Sequence, residues 1–386
     1  MNRRQFLKFG IGLGAASGML AACGSAAAPT SAPAGEAKPV DAPQAESSAA
    51  GVDRSKLAKE VSWYTWGGYT SDAVLAKFKE EFGVTVKVDT YGSNEEMEAK
   101  FKAGGNPGYD VITPSDYMVA RMAAANMLQK IDFAAVKNFA NIDAGHKGLY
   151  FDPNNEFCVA YNWGTTGVAY DKTKIKEPIT NWKQVMAWPA DLSGKLGLLD
   201  DMRELMGMAL RFKGFSGNTG KAEEITAAKE ALIELKKSAN YTLTDSPSAK
   251  TNLVAGDSAA AMIYANDAVV GRSENPNLVY VIPGDVSTIW QDNLCVPVGA
   301  PSKYTAEVLI DFLCRPDIAA QSANEIGLST PNAETLKQGL IDKALTDDKS
   351  IYPDIVALGA ALDYLRRGDP AADELYQRAF DEIKSA

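Results

Sequence analysis

The alternation of strand-like and helix-like segments between residues 60 and 128 restricts the fold of this chain more than any other feature of its sequence. Residues 60–69, 84–92 and 109–115 have the pattern of strands, and residues 71–83, 93–105 and 116–128 carry apolar residues at helical spacing. The first two helical segments begin at serines and end at glycines, as capped helices do. This β-α-β-α-β-α order predicts an α/β fold built on a parallel sheet with right-handed crossovers.

The ends of these three strands collect aromatic rings, glycines and small hydroxyls. The segments that follow the strands are Trp66-Gly67-Gly68-Tyr69, Tyr91-Gly92-Ser93 and Ser115-Asp116-Tyr117. Ligands of open parallel sheets bind beyond the carboxyl ends of the strands. Because core aromatics usually lie inside elements rather than just after them, these segments predict a binding rim.

A second alternating region follows residue 157. Residues 193–216 predict a strand, a turn and a helix, and residues 221–239 predict a long amphipathic helix with alternating charges. The later segments predict, in order, a strand and helix (258–272), two strands (278–285 and 288–300), a helical stretch interrupted at Pro316 (305–328) and a mainly helical tail from residue 351. No internal repeat is visible, and the length suggests two domains or one large one.

Composition excludes several classes of site. His146 is the single histidine, which argues against a histidine-based metal site, a Ser-His-Asp triad and a Cys-His pair. The sequence contains no phosphate-binding loop, no GxGxxG and no CxxC, so we expect neither a metal nor a cofactor. The net charge of −10 becomes −13 without residues 1–22, which hold three basic residues and no acid. That charge argues against nucleic acid or an anionic membrane surface as partner and is compatible with a cationic ligand.

Three cysteines lie beyond the N-terminal region, in the apolar segments around Cys158, Cys295 and Cys314. These settings favour buried thiols that behave as small hydrophobic side chains over a disulfide. If two of them did bond, the sequence would not identify the pair.

The N-terminus predicts export and a lipid tether. Arg3 and Arg4 precede an apolar run at 9–22 that is shorter than the roughly 20 residues of a membrane span, so residues 1–22 indicate a cleaved twin-arginine signal. Leu20-Ala21-Ala22-Cys23 resembles a bacterial lipobox, although a chance cysteine after an ordinary signal is the alternative. Residues 23–57 are rich in Ala, Ser, Pro and Gly and predict a flexible linker behind a lipidated Cys23. The expected location is periplasmic or at the cell surface, on the outer face of the cytoplasmic membrane, with membrane contact through the lipid alone.

Segments spread over residues 60–386 resemble a known family in collinear order. They include WGGY at 66–69, YDVITPSDYMVARM at 109–122, LLDDMRELMGMALR at 198–211, IWQDNLCVPVGA at 289–300 and IGLSTPN at 326–332. Together they are similar to the bacterial spermidine/putrescine-binding proteins of ABC importers. The resemblance implies a two-lobed periplasmic-binding-protein fold, each lobe a central sheet flanked by helices, with a hinge between lobes. Lobe one would span 58–163 plus 292–334, and lobe two 164–291 plus 335–386.

This resemblance implies a monomer that captures a polyamine, putrescine or spermidine, in the cleft and delivers it to the permease subunits of an ABC importer, without catalysis. A polyamine requires carboxylates for its ammonium groups and aromatic faces for its methylenes and charge. The positions that match the family's binding motifs are Trp66, Tyr69, Ser115, Tyr117, Asp201, Glu204, Tyr264, Asp267, Trp290 and Asp292. Arg203, between two of these acids, is expected to brace the cleft through a salt bridge.

Each of these residues also has a purely structural interpretation. Asp201 and Glu204 could be charges that stabilise a helix N-terminus, and Asp267 could cap a helix. Trp66 and Trp290 could belong to a core. Their joint occurrence at family positions favours ligand binding.

Four positions depart from the family pattern and leave the exact ligand open. Gly67 and Gly68 replace side chains that touch the ligand in some relatives, and Leu328 stands where a ligand-facing tyrosine is common. Near Arg366, where some members have glutamine, an arginine would oppose a cation.

Other functions remain open at this point. A protein of the same architecture could bind another solute, such as an amino-acid derivative or another organic cation, and a carboxylated solute would require arginines such as Arg203 or Arg366. An exported hydrolase could use paired carboxylates such as Asp201 and Asp292. A sensory receptor docking to a membrane kinase or cyclase would have the same ligand site.

Overall fold

The structure, a computed structural model, describes residues 51–366 and 370–386. The predicted signal peptide, Cys23 and the linker as far as residue 50 lie outside the described residues. Within the described part, ten strands form one sheet: β1 Glu60–Trp66, β2 Thr85–Tyr91, β3 Val111–Ile112, β4 Cys158–Asp171, β5 Leu196–Leu199, β6 Thr242–Thr244, β7 Ala260–Tyr264, β8 Leu278–Val281, β9 Ser287–Cys295 and β10 Leu362–Asp363. Their order is β2-β1-β3-β9-β4-β7-β5-β6, and β10 and β8 pair with β9 and β4.

Helices cover the sheet. They are α1 Asp72–Phe82, α2 Asn94–Gly104, α3 Asp116–Ala124, α4 Trp182–Met186, α5 Met202–Phe212, α6 Ala222–Ala239, α7 Ser246–Ala255, α8 Ala265–Glu274, α9 Lys303–Leu313, α10 Pro316–Ile326, α11 Ala333–Lys337, α12 Lys343–Thr346, α13 Ile355–Leu358 and α14 Pro370–Ser385. Pro316 begins α10, so the predicted interruption between α9 and α10 is confirmed.

The predicted order of the first region is confirmed. Strand β1 pairs in parallel with both β2 and β3, with α1 and α2 as crossovers. The side-chain oxygens of Ser71 and Ser93 accept hydrogen bonds from backbone N–H groups in the first turns of α1 and α2. Gly83 ends α1 with φ +73°, a conformation that favours glycine. The strand ends therefore meet at one edge of the sheet, where the binding rim was predicted.

Strands β4 and β9 connect two halves of the molecule. They run antiparallel from Cys158↔Cys295 to Thr165↔Ile289, and the rest of β4 pairs with β7 and β8. We call β1–β3 with α1–α3, α9 and α10 the first lobe, and β5–β8 with α4–α8 and α14 the second lobe. Both crossings use long strands, so a bend in β4 and β9 can change the angle between the lobes.

Each lobe has its own hydrophobic core. Trp63, Phe78 and Phe312 are fully buried in the first lobe, and Trp182 and Tyr376 are nearly fully buried in the second. Ile341 packs on α10 of the first lobe, C-terminal to the predicted boundary at 334/335. The lobe boundaries drawn from the resemblance stay predictions.

Residues 51–57 pack against the first lobe. Val52 and Leu57 contact its core, and the Asp53 backbone N–H donates to the Tyr304 hydroxyl at 2.8 Å. This packing shortens the predicted linker at its C-terminal end. Among the described residues, no helix has both the length and the apolar character that crossing a membrane requires.

Candidate functional site

Asp292 lies on β9 at the rim that the first-lobe strands form. Its side chain is 3% exposed. The Ser115 hydroxyl donates to Oδ1 and the Tyr69 hydroxyl donates to Oδ2, each at 2.6 Å. Ser115 is also the backbone bridge partner of Asp292. Three predicted site residues from distant parts of the sequence thus form one hydrogen-bonded group.

The Asp292 carboxyl is paired with no cation in the part of the chain that the structure describes. Burial raises its pKa to about 7, against the lowering effect of the Ser115 and Tyr69 hydroxyls, and Asp116 adds to the rise. Within the described residues, no lysine or arginine forms an ion pair with it. A bound cation would stabilise the ionised form that burial disfavours, so this position is suited to a positively charged ligand.

Asp116, the first residue of α3, is a second buried acid that the list of candidate residues omitted. Its carboxylate accepts hydrogen bonds from the Tyr150 hydroxyl at 2.7 Å and from the Gln291 backbone N–H at 3.0 Å. Burial raises its pKa to about 6. The available signal was its place between Ser115 and Tyr117 at a strand end, although its half-buried partner Tyr150 could not be inferred from spacing.

Aromatic rings extend the rim from Asp292. The Trp66 ring lies 4.6 Å from that of Tyr91 and 6.4 Å from that of Tyr69, centroid to centroid. The Trp66 Nε1–H donates to the Thr113 carbonyl at 3.0 Å, which fixes the ring at the end of β1. Trp66 and Tyr69 are half-buried, so each retains a face that a ligand can contact.

Tyr117 lies on the same rim. Its hydroxyl accepts a hydrogen bond from Asn94 Nδ2 at 3.0 Å and donates to Glu95 Oε1 at 3.1 Å. Asn94 also donates to the Ser115 hydroxyl at 3.1 Å. Asn94 was not predicted, yet it connects Tyr117 with Ser115 and thereby with Asp292.

In the second lobe, Asp201 has two roles. Its Oδ1 accepts the backbone N–H groups of Arg203 and Glu204 and so caps α5, as the structural interpretation proposed. Its Oδ2 accepts the Tyr264 hydroxyl at 3.3 Å. The Tyr264 ring in turn meets the Trp290 ring edge to face at 5.8 Å. The cap therefore holds a carboxylate against two aromatic side chains.

Glu204 is the buried acid of this second group. The Thr166 hydroxyl donates to its Oε1 at 2.9 Å, while its Oε2 has no hydrogen-bond partner among the described residues. Burial raises the pKa of Glu204 to about 7 and the neighbouring Asp201 carboxylate adds to the rise, whereas the Thr288 and Thr166 side chains and the charge of Arg211 oppose it. An unpartnered buried carboxylate oxygen is costly, and a ligand N–H or a water would relieve that cost.

Asp267 occupies the first turn of α8 and is half-buried. Burial raises its pKa, and the Ser246 side chain opposes that effect. Burial also raises the pKa of Tyr69, and the charges of Asp292 and Asp267 add to this. Asp267 therefore lies within electrostatic reach of the first-lobe rim, without a direct bond to the other predicted residues.

Trp290 requires a glycine beside it. A Cβ at Gly164 would lie 2.5 Å from Trp290 Cζ2, so only glycine leaves room for the indole. The indole Nε1 is buried without a hydrogen-bond partner among the described residues. Trp290, Trp163 and the buried Leu328 lie together around a shallow depression of the surface.

The salt bridge expected of Arg203 stays a prediction, and the described contacts of its guanidinium are of another kind. Within the described residues, Arg203 binds the Asn218 side chain and the Arg366 carbonyl and lies over the Tyr376 ring at 4.5 Å, where a salt bridge was expected.

Gly67 and Gly68 are exposed, with open space where a side chain would be.

Arg366 reaches from the second lobe to the first. Its guanidinium lies 4.7 Å from the Tyr150 ring centroid, and Tyr150 bonds to Asp116. Arg121 of α3 and Asp373 of α14 form a further contact between the lobes at 3.1 Å. The Arg366 guanidinium thus lies near the first-lobe acids, and in the described residues it forms no ion pair with Asp292.

Metal binding has no support in the described part of the chain, where no group of three or more His, Cys, Asp or Glu side chains could hold an ion. The arrangement instead offers carboxylates, aromatic faces and hydroxyls from both lobes, which is chemistry that suits an elongated cation.

Comparison with known proteins agrees with this chemistry. Residues 73–351 match the family model for bacterial extracellular solute-binding proteins. The spermidine/putrescine-binding periplasmic protein of Salmonella typhimurium is 35% identical over 324 residues, which cover 84% of this chain and 91% of that protein. The putrescine-binding periplasmic protein PotF of Escherichia coli is 28% identical over 348 residues, 85% of this chain and 92% of that protein.

A solved structure described as a putative spermidine/putrescine ABC transporter from Listeria monocytogenes matches with a TM-score of 0.78 and 29% identity. The match covers 85% of this chain and 99% of that one. The resemblance inferred from the sequence is confirmed by these matches, and so are the α/β class and the two-lobed architecture.

Proposed function

Because the chain belongs to the bacterial extracellular solute-binding proteins, and among them to the spermidine/putrescine-binding periplasmic proteins, we propose that it captures a polyamine in its cleft and delivers it to an ABC importer. The family consists of solute-binding proteins, and we propose that this chain likewise catalyses no reaction. The proposed ligand is putrescine or spermidine, and the proposed partner is the permease of the importer.

One observation carries the proposal. Asp292 is a buried carboxyl whose two oxygens accept hydrogen bonds from neutral hydroxyls and which forms no ion pair in the described residues. Burying such a group is unfavourable unless a cation completes the site. An ammonium group supplies both the charge and several N–H donors.

The other predicted residues fit the remainder of a polyamine. Trp66, Tyr69 and Trp290 would cover methylenes and add cation–π attraction, worth about 2 kcal/mol when desolvated. Glu204 and Asp201 would receive the second ammonium, for which the free Oε2 of Glu204 is the open acceptor. Asp267 would contribute long-range attraction from the second lobe.

The N-terminal residues give the proposal its location. The matched relatives are periplasmic proteins, and export of this chain is consistent with its twin-arginine signal. We propose that Cys23 carries lipid and that the linker lets a monomeric binding protein reach the permease from the outer face of the membrane.

Isothermal titration calorimetry of the protein with putrescine, spermidine and spermine tests the proposal. We expect micromolar or tighter binding of at least one polyamine, and a loss of at least about 2 kcal/mol in Asp292→Asn, the scale for one partner of a buried charge pair. Asp311→Asn is the matched control, because this buried acid bonds to Asn138 in the first lobe and lies outside the proposed site.

No heat with any polyamine, in protein shown to be folded, would contradict the proposal. Arg366 would then favour the second candidate, a solute that carries a carboxylate, because its guanidinium lies at the first-lobe acids without an ion pair to Asp292.

A further inference from the structure

Cys158 and Cys295 face each other across the pair of strands that joins the lobes. Cys158 is the first residue of β4, Cys295 is the last residue of β9, and the two are direct partners in the antiparallel register. Both side chains lie in the same buried cluster of the first lobe. The structure holds both as free thiols, and Cys314 lies in a different buried cluster from this pair.

The spacing of such a pair suits a disulfide. Directly opposed residues of an antiparallel pair have Cα atoms about 4.5 or 5.5 Å apart, within the range of about 4.4–6.8 Å that disulfides occupy. Burial raises the pKa of the Cys158 thiol well above its usual range, and the adjacent Cys295 thiol raises it further, which shows how close the two side chains lie.

We propose that Cys158 and Cys295 form a disulfide in the exported protein. The extracytoplasmic location of the family supplies the oxidising environment that such bonds need. This inference does not depend on the identity of the ligand.

Formation of the disulfide would not leave the Asp152 carboxylate without hydrogen-bond donors. The Cys158 thiol donates to Asp152 Oδ2 at 3.4 Å, and that oxygen also accepts the backbone N–H groups of Phe157 and Cys158. When the S–H is lost, Asp152 retains both backbone donors and a third from Glu156. The sheet register and the carboxylate thus tolerate the cross-link.

The chemistry is thiol–disulfide exchange with a disulfide-bearing oxidant. Both thiols are buried in the folded protein, at 6% and 0% exposure, so the exchange requires an opening that exposes them to the oxidant. The Cys158 thiolate then attacks and forms a mixed disulfide while the oxidant's S–S bond breaks. The Cys295 thiolate then attacks the Cys158 sulfur and expels the oxidant's second sulfur as a thiol. Two electrons and two protons pass to the oxidant, which becomes a dithiol, and one S–S bond joins β4 to β9.

The position gives the bond a structural role. The chain leaves the first lobe through β4 and returns through β9, so the second-lobe elements β5–β8 lie inside the closed loop. Asp292 is three residues from Cys295 on β9. The cross-link would fix the first-lobe ends of both connecting strands and leave the middle of the strands, near Gly164 and Trp290, free to bend.

Peptide mapping under non-reducing conditions tests the proposal. The protein is expressed with its signal, recovered after export and also from a reducing cytosol, alkylated in denaturant without reductant, and digested with trypsin. For exported protein we expect residues 148–172 linked to residues 273–303, with Cys314 alkylated in residues 304–337. Exported protein in which both Cys158 and Cys295 are alkylated would overturn the proposal.

Thermal unfolding gives a second readout. Reductant should lower the melting temperature of exported wild type and of the control Cys314→Ala by about 5 °C, since the bond closes a long loop. It should leave Cys295→Ala unchanged. Equal effects of reductant on Cys295→Ala and wild type would contradict the cross-link, and if that variant does not fold, the peptide map of the wild type still decides.

Discussion

The acid in the first-lobe wall of the cleft and the acids in the second-lobe wall are held in different ways. Asp292 has both oxygens engaged by hydroxyls from Ser115 and Tyr69. In the second lobe, Asp201 is occupied as the cap of α5, and Glu204 keeps one oxygen that has no hydrogen-bond partner in the described part of the chain. The first wall thus offers a preorganised anchor, and the second offers an acceptor that a ligand must complete.

Loss of the first-lobe charge should therefore cost more than loss of the second. Asp292→Asn should weaken polyamine binding by at least about 2 kcal/mol. Glu204→Gln should cost about 1 kcal/mol, since Gln can still accept a ligand N–H and Glu204 is partly protonated near pH 7. Calorimetry on both variants measures the two losses. A larger loss for Glu204→Gln would reverse the ranking of the two walls.

Low pH should weaken polyamine binding by protonating Asp292 in the first lobe and Glu204 in the second. Burial raises the pKa of Asp292 and of Glu204 to about 7, and an ammonium ligand requires the ionised forms. Below about pH 6 the affinity should fall about tenfold per pH unit for each group coupled to binding, and above about pH 8 it should be flat. Titrations from pH 5 to 8 measure this slope. In Asp292→Asn the fall in affinity should be smaller by a factor of about ten per pH unit. An unchanged slope would show that ionisation of Asp292 is not coupled to binding.

The hydrogen bond from the Tyr69 hydroxyl to Asp292 can be removed while the charge of Asp292 is kept. Tyr69→Phe deletes the hydroxyl that donates to Asp292 Oδ2 and keeps the ring. We expect a loss of about 1 kcal/mol in polyamine affinity and a rise in the pKa of Asp292, so that acid weakens binding at a higher pH than in wild type. Tyr109→Phe is a matched control, since its hydroxyl bonds to Lys100 and Asp89 on the outside of the first lobe. Equal effects of the two variants would exclude a specific role for the Tyr69 hydroxyl.

The smallest effect is expected at Arg366. Arg366→Gln removes an exposed cation that lies over Tyr150 and close to the first-lobe acids. Polyamine affinity should rise by about 0.5 kcal/mol, with a weaker effect at high salt. Calorimetry at two salt concentrations checks both points. A loss of affinity would show that Arg366 supports the site through its contact with Tyr150.

Much of the fold follows from local patterns in the sequence. Serine caps, terminal glycines and apolar spacing identify the first-lobe elements because each depends on neighbours in sequence. The contacts of the site are less accessible. Ser115 and Asp292 are 177 residues apart, and they meet because β3 and β9 pair, which no local pattern specifies.

The family resemblance identified the predicted site residues, but it did not identify the residues that hydrogen-bond to them. Asp116, Asn94 and Tyr150 act through partly buried hydrogen bonds that depend on tertiary packing. Arg203 shows the same limit: its neighbours in sequence are acids, which suggested a salt bridge, but in the described structure its guanidinium turns to a carbonyl, an amide and a ring. The opposed cysteines likewise emerge only from the β4–β9 register.

The thermal stability of Asp292→Asn with and without putrescine tests the role of this buried acid at a single position. Because the pKa of Asp292 is raised in the folded protein, its ionisation lowers the stability of the empty protein as the pH rises from about 4 through about 7. At pH 8 the empty Asn variant should be more stable than empty wild type by about 2–4 kcal/mol. Putrescine at about 1 mM should stabilise wild type by several kcal/mol if it binds with micromolar affinity, and the variant far less. A variant that is less stable when empty and equally stabilised by putrescine would contradict the assignment of Asp292 as the cation anchor.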